Sequence, residues 1–179
     1  STVTRATETL TGSGNSTLIN STEGVLYAEI AALADDGTAR NMALSDGTTS
    51  NRIVMVYTNV SNQIRFYLEG TGGTITVNHT LTNSTELVKA AVRYKSQDFA
   101  FYINGVQIDT NNSSITFSGL NDLSFYNPFG GGSSPFYGKC KELAVFDEAL
   151  TDDELELLTG ITNYGSFNEL AQANGYTII

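Results

Sequence analysis

Short segments in which apolar and polar residues alternate run through most of this chain, separated by clusters of glycine, asparagine and aspartate. Alternation with a period of two is typical of strands with one buried face, and such clusters are typical of turns. Residues 25–33 are almost wholly apolar, which predicts a central strand covered on both faces. The other predicted strands are residues 41–45, 52–58, 63–69, 74–81, 87–94, one on each side of Asn104-Gly105, one or two within 115–127, and 136–147.

Helix signals occur only near the end of the chain. Thr151 and Glu154 form a capping box with acidic residues in the first turn, which predicts a helix of two or three turns. Ser166 predicts a second short helix ending near Asn174, and residues 176–179 are a last strand or an apolar tail. Many short strands with helix only at the end predict an all-β fold, a two-sheet antiparallel jelly-roll sandwich with short C-terminal helices.

The clearest local signal is Asn104-Gly105, because this pair best tolerates the positive φ angles of a two-residue type I′ turn. With these two residues as the turn, Ile103 faces Val106 and Phe101 faces Ile108. We therefore expect Phe99, Phe101, Ile103, Val106 and Ile108 to lie on one face of the hairpin, directed into the core.

Length and composition agree with one β domain. The chain has 179 residues, 40% of them hydrophobic and only 16% charged, so much of its polarity comes from residues that favour strands and turns. We expect a single domain over residues 1–179, with its core at about 23–160 and a helical tail at 161–179. The chain begins at Ser1 without a methionine, which suggests a fragment, a processed product or a domain of a longer protein.

The net charge of −10 and the scattered lysines and arginines argue against nucleic acid and anionic membranes as partners. No apolar run is long enough to span a bilayer, so no membrane insertion is expected. Cys140 is the only cysteine, which excludes an internal disulfide and fits a bacterial or viral source better than a eukaryotic secreted one.

Two segments carry a family resemblance. Residues 89–95 (KAAVRYK) with 99–106 (FAFYINGV), and residues 136–155 (FYGKCKELAVFDEALTDDEL), resemble strands of laminin G-like or pentraxin-like domains in the concanavalin A-like lectin/glucanase superfamily. The resemblance covers about residues 23–160 and implies a jelly roll. The closing residues, 166–179, resemble tails of such domains in bacteriophage structural proteins, which implies a virion or an extracellular, cell-surface location.

A glycine-rich stretch at 128–135 is flanked by aromatic residues that could stack on a sugar, with asparagines as hydrogen-bond partners. The alternative is that these rings cap the sandwich. The candidate carbohydrate-binding residues are Tyr126, Asn127, Phe129, Tyr137 and Asn104, and Phe136 belongs to the same aromatic group.

Calcium is the metal that the resemblance implies, held at a loop rim by carboxylate and main-chain oxygens. Asp35, Asp36 and Asp46 are the candidate ligands, with Asn127 as a further loop oxygen. No ligand-spacing motif is present, and each of these residues also has an ordinary explanation as a turn residue.

Candidates for catalysis are few, and no catalytic residue is predicted. Glycanases of this fold use a Glu-x-Asp-x-x-Glu spacing on one strand, which is absent, and Glu142 and Asp147 do not reproduce it. A Cys140–His79 dyad is the remaining possibility, against a small buried cysteine and a surface histidine.

Three hypotheses follow. The first is a non-catalytic recognition domain of a phage virion or bacterial surface protein that binds a glycan or another surface polymer. The second is a decoration or assembly domain that contacts neighbouring virion subunits or forms a homo-oligomer. The third, less favoured, is a polysaccharide hydrolase.

Overall fold

The structure, a computed structural model, describes residues 15–128 and 134–160. In these two ranges, ten strands form two antiparallel five-stranded sheets, and one helix follows them. Sheet A has the order β10-β1-β6-β7-β8, and sheet B has the order β5-β4-β3-β2-β9. The elements are β1 (Glu23–Ala32), β2 (Arg40–Ser45), β3 (Arg52–Tyr57), β4 (Gln63–Gly70), β5 (Gly73–Thr80), β6 (Val88–Lys95), β7 (Phe99–Ile103), β8 (Val106–Asn111), β9 (Asp122–Ser124), β10 (Gly138–Phe146) and α1 (Asp152–Thr159).

The core lies between the two sheets, where alternate residues of each strand interdigitate. Phe66 of sheet B packs on Phe101 of sheet A with ring centroids 5.4 Å apart, and both side chains are fully buried. In β1, Leu26 points into this core while Tyr27 belongs to a second cluster beneath α1. The predictions of a two-sheet antiparallel sandwich and of a central strand buried on both faces are confirmed.

In the β7–β8 hairpin, the predicted turn is confirmed but part of the predicted register is wrong. Asn104 and Gly105 both have positive φ, as the type I′ turn requires, and Ile103 does face Val106. Phe101, however, faces Asp109, because a bulge between Phe101 and Tyr102 adds one residue on β8. Val106 is 61% exposed and does not join the core, since β8 is an edge strand with a neighbour on one side only.

The helix α1 begins as predicted, with the Thr151 side chain bonded to the Glu154 backbone and the Glu154 side chain bonded back to Thr151. It covers the outer face of sheet A, burying Leu155 and Leu158 against Tyr27 and Tyr102. The second predicted helix and the tail at 176–179 lie outside the described residues. Within the described part of the chain, no helix is long and apolar enough to cross a membrane.

Candidate functional site on the outer face of sheet B

Polar side chains gather on the face of sheet B that points away from the core. Along β4, Ile64, Phe66 and Leu68 are buried in the core. The residues between them, Arg65 and Tyr67, together with Glu69, are half-buried because successive strand side chains point to opposite faces. The alternation of β4 thus supplies a basic, an aromatic and an acidic residue in line on one surface.

Four of the side chains on this face form a connected group, which we call the Arg52 cluster: Arg52, Tyr67, Glu69 and Asn127. Arg52 pairs with Glu69 in the β3–β4 register, and its Nη2 donates to Glu69 Oε2 at 2.8 Å. Arg52 Nη1 donates to Asn127 Oδ1 at 2.7 Å, and Tyr67 Oη donates to Glu69 Oε2 at 2.9 Å. The Arg52 guanidinium lies over the Tyr67 ring, 4.9 Å from its centroid.

The side chains of the Arg52 cluster differ in how exposed they are to solvent. The Arg52 side chain is only 10% exposed, whereas that of Glu69 is 31% exposed. Burial, and next the hydrogen bond to Glu69, raise the pKa of Tyr67 above its ordinary value, so the phenol, which is protonated at neutral pH in any case, keeps its donor further into the alkaline range. Arg52 therefore forms the floor of the cluster, and Glu69 and Tyr67 are its partly exposed members.

The glycine-rich stretch is attached to the same face at both of its described ends. Asn127 bonds to Arg52, and the carbonyl of Ser134 accepts from both the backbone nitrogen and the side-chain Nδ2 of Asn41, at 3.2 and 3.1 Å. Asn41 is a buried residue of β2. The described residues on either side of the glycine run are thus both bonded to sheet B.

The aromatic residues predicted to bind sugar differ in how exposed their side chains are. Tyr126 is half-buried and Tyr137 is 62% exposed, whereas Phe129 lies outside the described residues. The ring of Phe136 packs on Phe125 and Tyr57, with centroids 6.0 and 6.3 Å away. For Phe136, the capping alternative is the correct one.

Asn104 does not join the other candidates. Its Oδ1 accepts from the Lys89 backbone at 2.9 Å, within sheet A. Two strands, β1 and β6, separate β7 from β10, which begins next to Tyr137. Three strand spacings amount to roughly 14 Å, so Asn104 supports the hairpin turn rather than a shared surface with Tyr137.

A family model, the Laminin_G_3 model of the concanavalin A-like lectin/glucanases superfamily, matches residues 15–156. The chain belongs to this family. No curated protein shows a significant sequence match to it.

Solved structures with the same fold include glycan-bound domains. The CBM40 domain of the Ruminococcus gnavus IT-sialidase, bound to α2,3-sialyllactose, is 19% identical with a TM-score of 0.66; the match covers 84% of this chain and 93% of that domain. Domain 4 of an extracellular arabinanase from Geobacillus stearothermophilus, in complex with arabinotriose, is 14% identical with a TM-score of 0.60 and 79% and 68% coverage.

The leech intramolecular trans-sialidase shows how such a domain can be one part of a larger protein. It is 18% identical with a TM-score of 0.63, and the match covers 82% of this chain but only 24% of the leech chain. At these identities the likeness shows a shared fold.

The three candidate calcium ligands of this laminin G-like domain do not come together. Asp35 and Asp36 precede β2 and Asp46 follows it, so the strand separates them. The Asp35 carboxylate accepts hydrogen bonds from the Ser61 hydroxyl and the Asn62 backbone nitrogen. Hydrogen bonds from the Thr38 backbone and then from the Arg40 side chain lower the pKa of Asp36. Within residues 15–128 and 134–160, no three His, Cys, Asp or Glu side chains are grouped to hold a metal. These aspartates do not fit a shared site, and calcium binding stays a prediction.

The candidate dyad is also separated. His79 lies on β5, an edge of sheet B that contacts β8, whereas Cys140 lies on β10, the opposite edge of sheet A. Cys140 is exposed rather than a buried apolar residue, because it lies on this edge strand.

The sequence patterns also did not reveal a carboxylate pair across β1 and β10. Glu29 and Glu142 face each other, with Lys141 Nζ bonded to both oxygens of Glu29 at 3.1 Å and Tyr27 Oη bonded to Glu142 at 3.2 Å. Lys141 is the extra residue of a bulge at this point, which places its ammonium beside Glu29. The lysine offsets the like-charge repulsion expected of facing glutamates.

Asn127 was among the candidates predicted from sequence, but Arg52, Tyr67 and Glu69 were missed because the members of the Arg52 cluster are far apart along the chain. Asn127 is 75 positions from Arg52. One signal was available: the polar members of the β4 alternation point outward opposite a fully apolar inner face, and they include a tyrosine next to charged residues.

Proposed function

We propose that this domain is a non-catalytic carbohydrate-binding module whose ligand lies on the outer face of sheet B, against the Arg52 cluster. The observation that carries the proposal is the connected arrangement of an aromatic ring, a carboxylate and an amide on one surface, held by a buried arginine. Ordering these groups before the ligand arrives reduces the entropy that binding must overcome.

The chemistry of the cluster suits sugars. A carboxylate such as that of Glu69 accepts hydrogen bonds from vicinal hydroxyls, and an aromatic edge or face packs against the apolar C–H side of a pyranose ring. Arg52 is a positioning residue, since its guanidinium is buried and holds Glu69, Asn127 and the Tyr67 ring in place. Asn127 and Ser134, described residues on either side of the glycine run, bond to Arg52 and Asn41 of sheet B.

The comparisons support the proposal by fold. Two domains of this architecture were solved with sialyllactose and with arabinotriose, so the sandwich is compatible with glycan binding. The association with a virion or cell surface, and the absence of catalytic activity, stay parts of the proposal.

A glycan array followed by calorimetry tests the site. We expect the wild-type domain to bind at least one glycan class, and Tyr67→Ala and Glu69→Gln each to weaken that binding by about tenfold or more, the effect of losing one charge-assisted bond or ring contact. Circular dichroism confirms that each variant is folded.

Tyr126→Ala and Tyr137→Ala are the matched controls, because they remove aromatic side chains from the edge of the loop. Loss of binding in these variants, with Tyr67→Ala unaffected, would move the site to the loop residues predicted from sequence. A wild-type domain that binds no glycan would overturn the proposal.

A second candidate, an assembly domain, is favoured by one observation. Of six exposed large hydrophobic side chains in the described part of the chain, five lie at the end of the sandwich where β1 stops and β10 starts. They are Leu33, Val60, Leu87, Val106 and Tyr137. Light scattering tests this function: concentration-dependent association that Leu33→Glu abolishes would favour it, and a monomer at high concentration would exclude a homo-oligomer.

A further inference from the structure

One arginine lies on each side of Tyr67 on the outer face of sheet B, Arg65 on β4 and Arg52 on β3. Arg52 lies beside Glu69, two residues beyond Tyr67, and Arg65 lies two residues before it. Two residues in a strand span roughly 7 Å, about the width of one sugar ring. A ligand centred on Tyr67 would therefore have one arginine at each side.

The two arginines differ in the hydrogen bonds and ion pairs that they already form. Arg52 is neutralised by Glu69 and also bonds Asn127. Arg65 is half-buried and donates from Nε to Asn78 Oδ1 at 2.7 Å. Within residues 15–128 and 134–160, no acceptor bonds its Nη1 or Nη2 and no carboxylate pairs with it. Asn78 thus orients the guanidinium while leaving its outer edge available.

Among the described residues, the cross-strand and same-face neighbours of Arg65 include no acid. Its cross-strand partners are Val56 on β3 and Asn78 on β5. Its neighbour along the same face, Tyr67, is a phenol and therefore uncharged at neutral pH. The positive charge of Arg65 is therefore not offset by any of these neighbours.

We infer that the glycan is anionic, with its carboxylate or sulfate group bound by the outer edge of Arg65 while its ring lies against Tyr67. This inference rests on the proposed function and adds the ligand class to it. The guanidinium edge matches a carboxylate or sulfate in two parallel hydrogen bonds, which neither a neutral sugar nor a lysine can reproduce.

Fold alone does not decide this point, because the solved relatives hold both an acidic glycan and a neutral one. The net charge of −10 opposes an anion at long range. That repulsion is screened beyond a Debye length of about 8 Å at physiological salt, so the local charge at Arg65 sets the preference.

Calorimetric titration with 3′-sialyllactose, 3′-sulfated lactose, lactose and arabinotriose tests the inference. We expect the wild-type domain to bind the acidic sugars at least about tenfold more tightly than lactose, as one charge-assisted pair provides. The two acidic probes separate carboxylate from sulfate recognition. In Arg65→Gln the preference should fall to near one, with any binding of lactose unchanged, and Arg65→Lys should restore only part of it.

Lys139→Gln is the matched control, because it removes one exposed positive charge from β10 of the other sheet. It should leave the preference unchanged; an equal loss in this variant would show a general charge effect and overturn the assignment to Arg65. Equal affinity of the wild type for lactose and sialyllactose would overturn the inference and leave the proposed function standing. No binding of any probe, with none on the glycan array, would overturn both.

Discussion

Gly24 of β1 lies between Tyr94 of β6 and Phe146 at the end of β10. A Cβ built on this residue would lie 2.4 Å from the carbonyl oxygen of Phe146 and 2.4 Å from the hydroxyl of Tyr94. Neither neighbour can retreat easily, because one is backbone and the other donates to the carbonyl of Asn20 at 2.9 Å. Only glycine fits this position without moving the strands.

We therefore expect Gly24→Ala to lower the free energy of unfolding by about 1–3 kcal/mol, the usual cost of overpacking. Urea unfolding followed by circular dichroism measures it. Gly47→Asn is the control: Gly47 has φ +83° with open space around it, and asparagine tolerates that conformation. A Gly24→Ala protein as stable as the wild type would contradict the close approach.

At the scale of elements, α1 is held to sheet A by a buried arginine as well as by its leucines. Arg93 of β6 donates from Nη1 to the carbonyl of Leu150 at 2.9 Å and to Asp152 Oδ1 at 2.8 Å. Its Nη2 reaches Asp98 Oδ1 at 2.6 Å. One side chain, 9% exposed, thus joins the β6–β7 turn to the first turn of the helix.

Arg93→Met should destabilise the domain by about 2–3 kcal/mol, because the Leu150 carbonyl loses a charged partner. Hydrogen exchange should show the loss of protection concentrated in α1. Lys95→Met, two residues along the same strand, removes a pair with Glu23 whose side chains are 47% and 32% exposed, and its effect should stay below about 1 kcal/mol. Unchanged protection in α1 of Arg93→Met would show that the leucines alone hold the helix.

At the scale of the whole molecule, buried tyrosines connect parts of the sandwich. Tyr57 of sheet B donates to the carbonyl of Ile30 in sheet A at 3.0 Å. Burial raises the pKa of Tyr57, and burial followed by the charge of Asp147 raises that of Tyr94. For Tyr27, burial and next the charge of Glu142 raise the pKa.

These raised values make the fold sensitive to alkali. Above about pH 10 the unfolded chain loses tyrosine protons that the folded chain keeps, so the unfolded state binds fewer protons and stability falls as pH rises. Stability from these groups is fully present below about pH 10. We expect the three tyrosines to ionise only when the protein unfolds. Tyrosinate absorbance measures the ionisation and circular dichroism measures the unfolding, and the chain has no tryptophan to interfere. Their ionisation in a folded protein would refute this coupling.

Much of the fold was predictable because its signals are local. The period-two alternation predicts which side chains of β4 point inward, and the Thr151 capping box predicts where α1 begins. The Asn104-Gly105 pair likewise predicts the turn between β7 and β8. Each feature depends on neighbouring residues only, so the sequence by itself determined the strands, the turn and the helix start.

Partners across the sheets were decided by the tertiary structure. Strand order brings Arg52 to Glu69 and to Asn127, residues 17 and 75 positions away, and leaves Asp46 apart from Asp36. A bulge shifts the predicted pairing of Phe101 from Ile108 to Asp109. The physical reason is that backbone hydrogen bonds join strands whatever their side chains, so only the packing of the complete sandwich selects which side chains meet.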